Sequence, residues 1–268
     1  MPNKYYWQPV PVKKVYFPAY TTNTAATNAL FSGQIDWTGN FIQGLKKDFI
    51  DKDPTHHIGW ENAGATNVLI PNMTTWPTNQ LAVRQAISAA IDRTAIGKQG
   101  EDGQIIASEL KAAGINATFY GTSTPAIWNT DLANGNFQLA MHWGNGGISP
   151  YNMYDNWMDH TLVQGANTSG DYGRLNDPQV QAMLAKIAGD QTTAQQQADF
   201  QPLLKYVADN LPVIQTVNSA QWFEANSQHF TGWPSPSNPY ETGQPSGSNN
   251  GPGPGTDEVV ILHLTPVA

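Results

Sequence analysis

The residue pattern in this chain that is richest in chemistry is aromatic and amide rather than acid and base. The segment Met141-His142-Trp143-Gly144-Asn145-Gly146-Gly147-Ile148-Ser149-Pro150-Tyr151-Asn152-Met153-Tyr154 is an apolar run that ends in Trp143 and opens into a glycine-rich loop. Trp143 offers a flat apolar face, and Asn145 offers both a donor and an acceptor. The glycines let a ligand approach backbone donors closely. Ile35-Asp36-Trp37-Thr38-Gly39-Asn40 repeats the order, with an apolar residue, Trp37, a glycine and Asn40. Ile70-Pro71-Asn72 is a weaker third copy, equally readable as an ordinary strand-ending turn. Tyr151 and Tyr154 of the first segment, and Trp157 just beyond it, are placed to line the rim of such a site. Residues of this kind hold a neutral polar ligand by stacking and hydrogen bonding. The same letters also fit a tryptophan that caps the core and glycines that only serve a turn.

Hydrolytic chemistry has one candidate. Asp155 and Asp159 lie four apart in the aromatic stretch, which on a helix separates them by roughly 5–6 Å at Cβ. That is near the spacing of a retaining glycosidase pair. A solvated helix face has the same pattern, and glycosidases usually draw their acids from separate strands or loops. There is no G-x-S-x-G, no H-E-x-x-H and no phosphate-cradling loop. The run Gly-Pro-Gly-Pro-Gly at 251–255 is not one, because its prolines lack the backbone donors a phosphate needs. His56 and His57 are adjacent, so on a strand they face opposite ways. No metal site and no cofactor is expected.

Composition narrows the class. Charged residues are only 13% of the 268, against 40% hydrophobic, so the polar surface rests on Asn, Gln, Thr and Ser. The net charge of −8 argues against nucleic acid or an anionic membrane as partner. There are no cysteines, which excludes a disulfide scaffold and a thiolate metal site. No apolar run reaches the roughly 18 residues of a membrane span, so direct insertion is not expected. The opening residues have no apolar h-region, so no signal peptide is read there.

The elements that must position these residues alternate. Strands are predicted over 13–20, 34–38, 67–71, 115–120, 137–143 and 213–217, and helices over 22–31, 42–50, 80–92, 103–113, 125–133 and 192–210, with one more starting at Asp177-Pro178 and carrying Val180, Leu184 and Ile187. The fold class is therefore α/β with a largely buried sheet. Leu30-Phe31-Ser32-Gly33-Gln34-Ile35-Asp36-Trp37 echoes Leu132-Ala133-Asn134-Gly135-Asn136-Phe137-Gln138-Leu139, each reading helix, glycine cap, strand. Residues 1–233 are assigned to one ligand-binding lobe. Residues 234–257, rich in Pro, Gly and Ser, are expected to form a loop, and 258–268 a terminal buried strand.

Several separated motifs carry a family resemblance. They are Asn3-Lys4-Tyr5-Tyr6-Trp7, Lys14-Val15-Tyr16-Phe17, Asn28-Ala29-Leu30-Phe31-Ser32-Gly33-Gln34-Ile35-Asp36, Val83 through Arg93, Ile106 through Ile115 and Leu211-Pro212-Val213-Ile214. In this order they resemble the extracellular solute-binding proteins of family 5, peptide and oligosaccharide receptors of ABC importers. The resemblance implies the C-terminal lobe of a type II periplasmic-binding-protein fold, with a central mixed sheet flanked by helices. It implies a non-catalytic receptor that partners a membrane permease and is extracellular or periplasmic, lipid-anchored or secreted. The N-terminal lobe is missing, and a second gap is joined near residues 97–103. An engineered single lobe without binding, and a hydrolase using Asp155 and Asp159, stand as alternatives. Asp36-Trp37-Thr38-Gly39-Asn40-Phe41-Ile42 and Val68-Leu69-Ile70-Pro71-Asn72 look like the branch with β-linked oligosaccharide receptors, which tilts the expected ligand toward a neutral sugar over a peptide.

Overall fold

The computed structural model describes residues 11–40, 42, 44–99, 102–121, 125–144, 150–245 and 256–267. The chain forms two compact units, one from residues 1–64 and 220–268, the other from residues 65–219. The expected lobe boundary near 233 and 234 falls inside the first unit.

In the first unit, α1 (Asn23–Phe31) starts where the Thr22 hydroxyl accepts from Ala25 N–H, an N-cap that satisfies one of the orphan donors. Ala29 and Leu30 are buried, and Leu30 packs with Phe49 and Ile42. Gly33, at φ 70°, turns the chain out of the helix in the left-handed region that glycine enters without strain. Strand β1 (Trp37–Thr38) follows, then α2 (Leu45–Asp48) and the start of β2 (His57–Pro71). β1 pairs antiparallel with the far end of β4 (Ile214–Asn226), Trp37 opposite Ala225 and Thr38 opposite Glu224. β5 (Phe230–Thr231) pairs antiparallel with β6 (Thr265–Pro266).

Two strand expectations fail in this unit, each for a visible reason. Residues 13–20 form no strand. Val15, Tyr16 and Phe17 are exposed, and no strand lies against them among the described residues. The expected strand at 259–264 is instead α10 (Thr256–His263). Asp257 and Glu258 occupy its first turn, where negative charge suits the helix dipole. Val260 and Leu264, four apart, are the buried pair that packs with Phe223 and Trp233, so the apolar run serves one helix face rather than a strand.

In the second unit, the end of β2 pairs antiparallel with β3 (Leu139–Trp143), Leu69 opposite Met141 and Pro71 opposite Leu139. The start of β4 lies on the other side of β2, where the Thr216 hydroxyl donates to Asn67 O. Alternation along β2 sorts the core. Leu69 packs with Ile87 of α3 (Leu81–Ala90) and with Ile106 and Leu110 of α5 (Asp102–Ala112). Val68 and Ile70 pack with Trp157 and Met158 of α7 (Pro150–Met158), Leu184 of α8 (Pro178–Ala188) and Leu203 of α9 (Thr193–Asn210). Helix α4 (Arg93–Gln99) precedes α5, and α6 (Pro125–Asn134) leads through Gly135, at φ 72°, into β3. The expected strand at 115–120 does not form; that stretch is extended without a paired neighbour among the described residues. The fold class is α/β as expected, with helices on both faces of the second unit's sheet, and the strand pairs given above are antiparallel.

Candidate functional site

The first unit contains a cavity of about 660 Å³ at the corner that α1 and β1 make. Trp37 and Asn40, both singled out by the sequence, line it together. The Trp37 Nε1–H donates to Gly243 O at 2.7 Å, and its ring lies 5.8 Å from that of Trp233. The indole is thereby fixed before any ligand arrives, which removes an ordering cost. Tyr16, Phe17 and Tyr20 add further aromatic wall. Of the charged side chains on the lining, Lys14 sits 4.4 Å over the Tyr16 ring and Asp36 pairs with His229 at 2.8 Å. Asn40 Nδ2 is enclosed and has no hydrogen-bond partner among the described residues. An unpaired buried amide is costly and calls for an explanation.

Glu224 holds the loop behind this wall. Its carboxylate accepts from the Thr38 hydroxyl and from Asn40 N–H, both at 2.9 Å. At 1% exposure the group is almost fully desolvated, and burial pushes its pKa up to about 7 against the opposing pull of those two hydrogen bonds. Glu61 adds a like charge that raises it further. The aromatic wall at 16–20 and Glu224 were not singled out in the sequence. The run Tyr16-Phe17-Pro18-Ala19-Tyr20 was readable as a strand, and nothing around Glu224 marks it as buried.

The second unit holds the other candidates. Trp143, at the end of β3, is 54% exposed and stacks on Trp128 of α6 with ring centroids 5.3 Å apart. His142 stacks on Trp128 and lies 5.2 Å from Tyr172, extending the aromatic surface, and burial lowers its pKa. Asn145 lies outside the described residues. Asn72 is 2% exposed, and its amide is fully committed: Nδ2 donates to Gly135 O and Phe137 O, while Oδ1 accepts from the Thr74 backbone and hydroxyl. It ties β2 to the corner before β3 and leaves nothing for a ligand. Tyr154 and Trp157 are buried core residues of α7, packed edge to face at 5.7 Å. Tyr151 is half-buried and donates to Asp155 at 2.7 Å.

That bond also bears on the hydrolase alternative. Burial raises the Asp155 pKa and the Tyr151 hydroxyl lowers it again. Asp159 is occupied as an N-cap, accepting from Thr161 N–H at 2.9 Å and from the Thr161 hydroxyl. No cluster of three metal-ligating side chains occurs among the described residues.

Residues 1–104 match the description "Bacterial extracellular solute-binding proteins, family 5 Middle". That match covers the first 104 of the 268 residues. Its fold is shared with an oligopeptide ABC transporter periplasmic oligopeptide-binding protein of Thermotoga maritima, at TM-score 0.76 and 18% identity over 93% of this chain and 62% of that one. A mannohexaose-bound form of that protein gives TM-score 0.76 and 17% identity, over 92% of this chain and 61% of that one. A dipeptide-binding protein of Pseudoalteromonas sp. in complex with Met-Leu gives 0.71 and 10%, over 88% and 58%. The chain therefore spans about three fifths of the length of these solved relatives. No curated protein sequence matches it. The chain shares the fold of these periplasmic binding proteins.

Proposed function

We propose that this chain is the ligand-binding part of an ABC-importer receptor that captures a neutral oligosaccharide without chemistry. The observation that carries this reading is the first unit's cavity, where Trp37, Tyr16, Phe17 and Tyr20 surround the unpartnered amide of Asn40. Flat apolar faces beside uncharged donors suit the alternating CH faces and hydroxyls of a pyranose. The charged side chains of the lining are engaged with protein partners, which disfavours capture of peptide termini. The exposed Trp143–Trp128 pair offers a second stacking surface in the other unit. The receptor works outside the membrane and hands its ligand to a permease.

A peptide ligand is the second reading, favoured by the oligopeptide- and dipeptide-binding relatives. Calorimetric titration with cello-oligosaccharides, manno-oligosaccharides and short peptides separates the two. The expected result is weak sugar binding that Asn40→Ala lowers by about tenfold, the effect of one lost hydrogen bond of roughly 1.4 kcal/mol. Binding of peptides alone, or sugar binding indifferent to Asn40, would falsify the sugar reading.

A further inference from the structure

A second cavity, of about 650 Å³, lies wholly within the second unit and takes no part in the proposed sugar site. Its floor is the apolar cluster of α3, α5 and β2, with Ile106 and Leu110 among its lining. No charged side chain lines it among the described residues. One wall is β3, through Leu139 and Met141, and the opposite wall is the extended segment 115–119.

Both walls have backbone to offer. Asn72 N–H donates to Gln138 O and Gly144 N–H to Thr66 O, so the even-numbered residues of β3 face β2. In an antiparallel pair the odd-numbered residues then point their N–H and C=O groups away from the partner. Those residues include Leu139 and Met141, whose side chains line the cavity. No strand covers that edge of β3 among the described residues. Across the cavity, residues 115–121 are extended, and the backbone–backbone bonds described there are Ile115 N–H to Leu110 O and Ala117 N–H to Ile115 O. Unpaired strand edges attract another strand. An edge that also opens onto an uncharged apolar trough selects for what that strand carries.

We propose that this cavity receives an extended segment of another polypeptide, uncharged and apolar at alternate positions, which adds as a strand to the free edge of β3 and seats its inward side chains against Ile106, Leu110, Leu139 and Met141. A period of two is what a strand lying on one apolar floor requires. Phe119, laid over Gly103 with no room for a side chain there, closes one side of the trough, and the exposed Trp76 stands at its rim.

The test uses an acetylated and amidated synthetic peptide of alternating valine and threonine, about eight residues long to exceed the length of β3. Hydrogen exchange of the intact chain is followed with and without it. The expected result is exchange slowed about tenfold or more at the amides of Leu139 and Met141. A peptide N-methylated at alternate residues keeps the side chains but loses the backbone donors, and it should not bind. Ala107→Phe fills the trough from α5 and should abolish binding while the thermal midpoint holds or rises. Equal binding of the N-methylated peptide would mean an apolar pocket without strand addition, and would overturn the proposal. So would absence of protection at the β3 amides, or concentration-dependent dimerisation that protects them without peptide, since a second copy would then be the occupant. Sugar binding at the first unit is expected to be unchanged throughout, so this proposal and the receptor reading fail separately.

Discussion

The corner after α1 and the corner after α6 are built alike and finish differently. In the first, Gly33 N–H donates to Leu30 O and Gln34 N–H to Ala29 O; in the second, Gly135 N–H donates to Leu132 O and Asn136 N–H to Asp131 O. Both glycines sit in the left-handed region, and both corners feed a strand associated with a tryptophan and a candidate asparagine. Beyond that the chemistry diverges. Trp37 is pinned by Gly243 and packed against Trp233, whereas Trp143 is half exposed on Trp128. Among the asparagines, Asn40 Nδ2 has no partner among the described residues, whereas every polar atom of the Asn72 side chain is engaged. A shared backbone grammar therefore places a tryptophan on each following strand without giving the two one role, and Asn72, which follows β2 rather than β3, shows the same for the amides. What surrounds the side chain decides whether it holds the fold or faces a ligand.

The contrast can be broken at several points. The largest effect is expected from the tryptophans. Trp37→Ala should destabilise by about 2–4 kcal/mol and Trp143→Ala by about 1 kcal/mol, read from denaturant midpoints, since only the first removes packed core. Equal costs would erase the distinction between a pinned and a presented ring.

Next comes pH. The Glu224 carboxyl has an ordinary pKa of 4.5, which stands for the unfolded chain, and about 7 in the folded one. The folded state thus binds the extra proton between those values. Its stability from this group is fully present below the lower value and falls as pH rises through the higher, by roughly 3 kcal/mol. Glu224→Gln should flatten the thermal midpoint between about pH 5 and about pH 8 and raise it at the alkaline end. A slope that survives the substitution would assign the pH dependence elsewhere.

The asparagines give a smaller pair. Asn72→Ala should cost about 2 kcal/mol, because it orphans two carbonyls and the Thr74 turn, while Asn40→Ala should cost under about 0.5 kcal/mol and be felt in ligand titration instead. The glycines sharpen the corners themselves. A Cβ at Gly135 would come within 2.5 Å of the Arg174 guanidinium, which caps α6 by donating to Ala133 O, whereas at Gly33 it would meet the flexible end of Gln228. Gly135→Ala should therefore cost about 2 kcal/mol and Gly33→Ala about 1 kcal/mol in thermal unfolding.

Much of the scaffold was legible because it rests on local rules. Thr22, Asp177 and Thr192 announce their helices by capping them, and Gly33 and Gly135 end theirs. Helical spacing in Val180, Leu184 and Ile187 predicts the buried face that α8 shows. Strands were less legible. Whether 115–120 pairs depends on what lies beside it, and no local residue records that. The run 259–264 is apolar throughout, so either period fits until Val260 and Leu264 find their partners. Within the site, Trp37 and Asn40 were readable as a strand-end pair. The aromatic wall at 16–20 was not, because its place depends on chain distant in sequence. Asn72 shows the opposite error of inference: an amide at a strand end has the same letters whether it is reserved for a ligand or for the backbone.

Residues 65–219 form one unbroken stretch, while the other unit is assembled from the two ends of the chain. The chain leaves the first unit after Gly64 and re-enters it at Ala220, within β2 and β4. In mechanical terms the second unit is spliced into the first, and both ends available to an external pull belong to the outer one. Tension applied between the termini must open the outer unit before it can load the inner one. Unfolding under force should then proceed in a fixed sequence, outer before inner, even if heat melts the two in the opposite order.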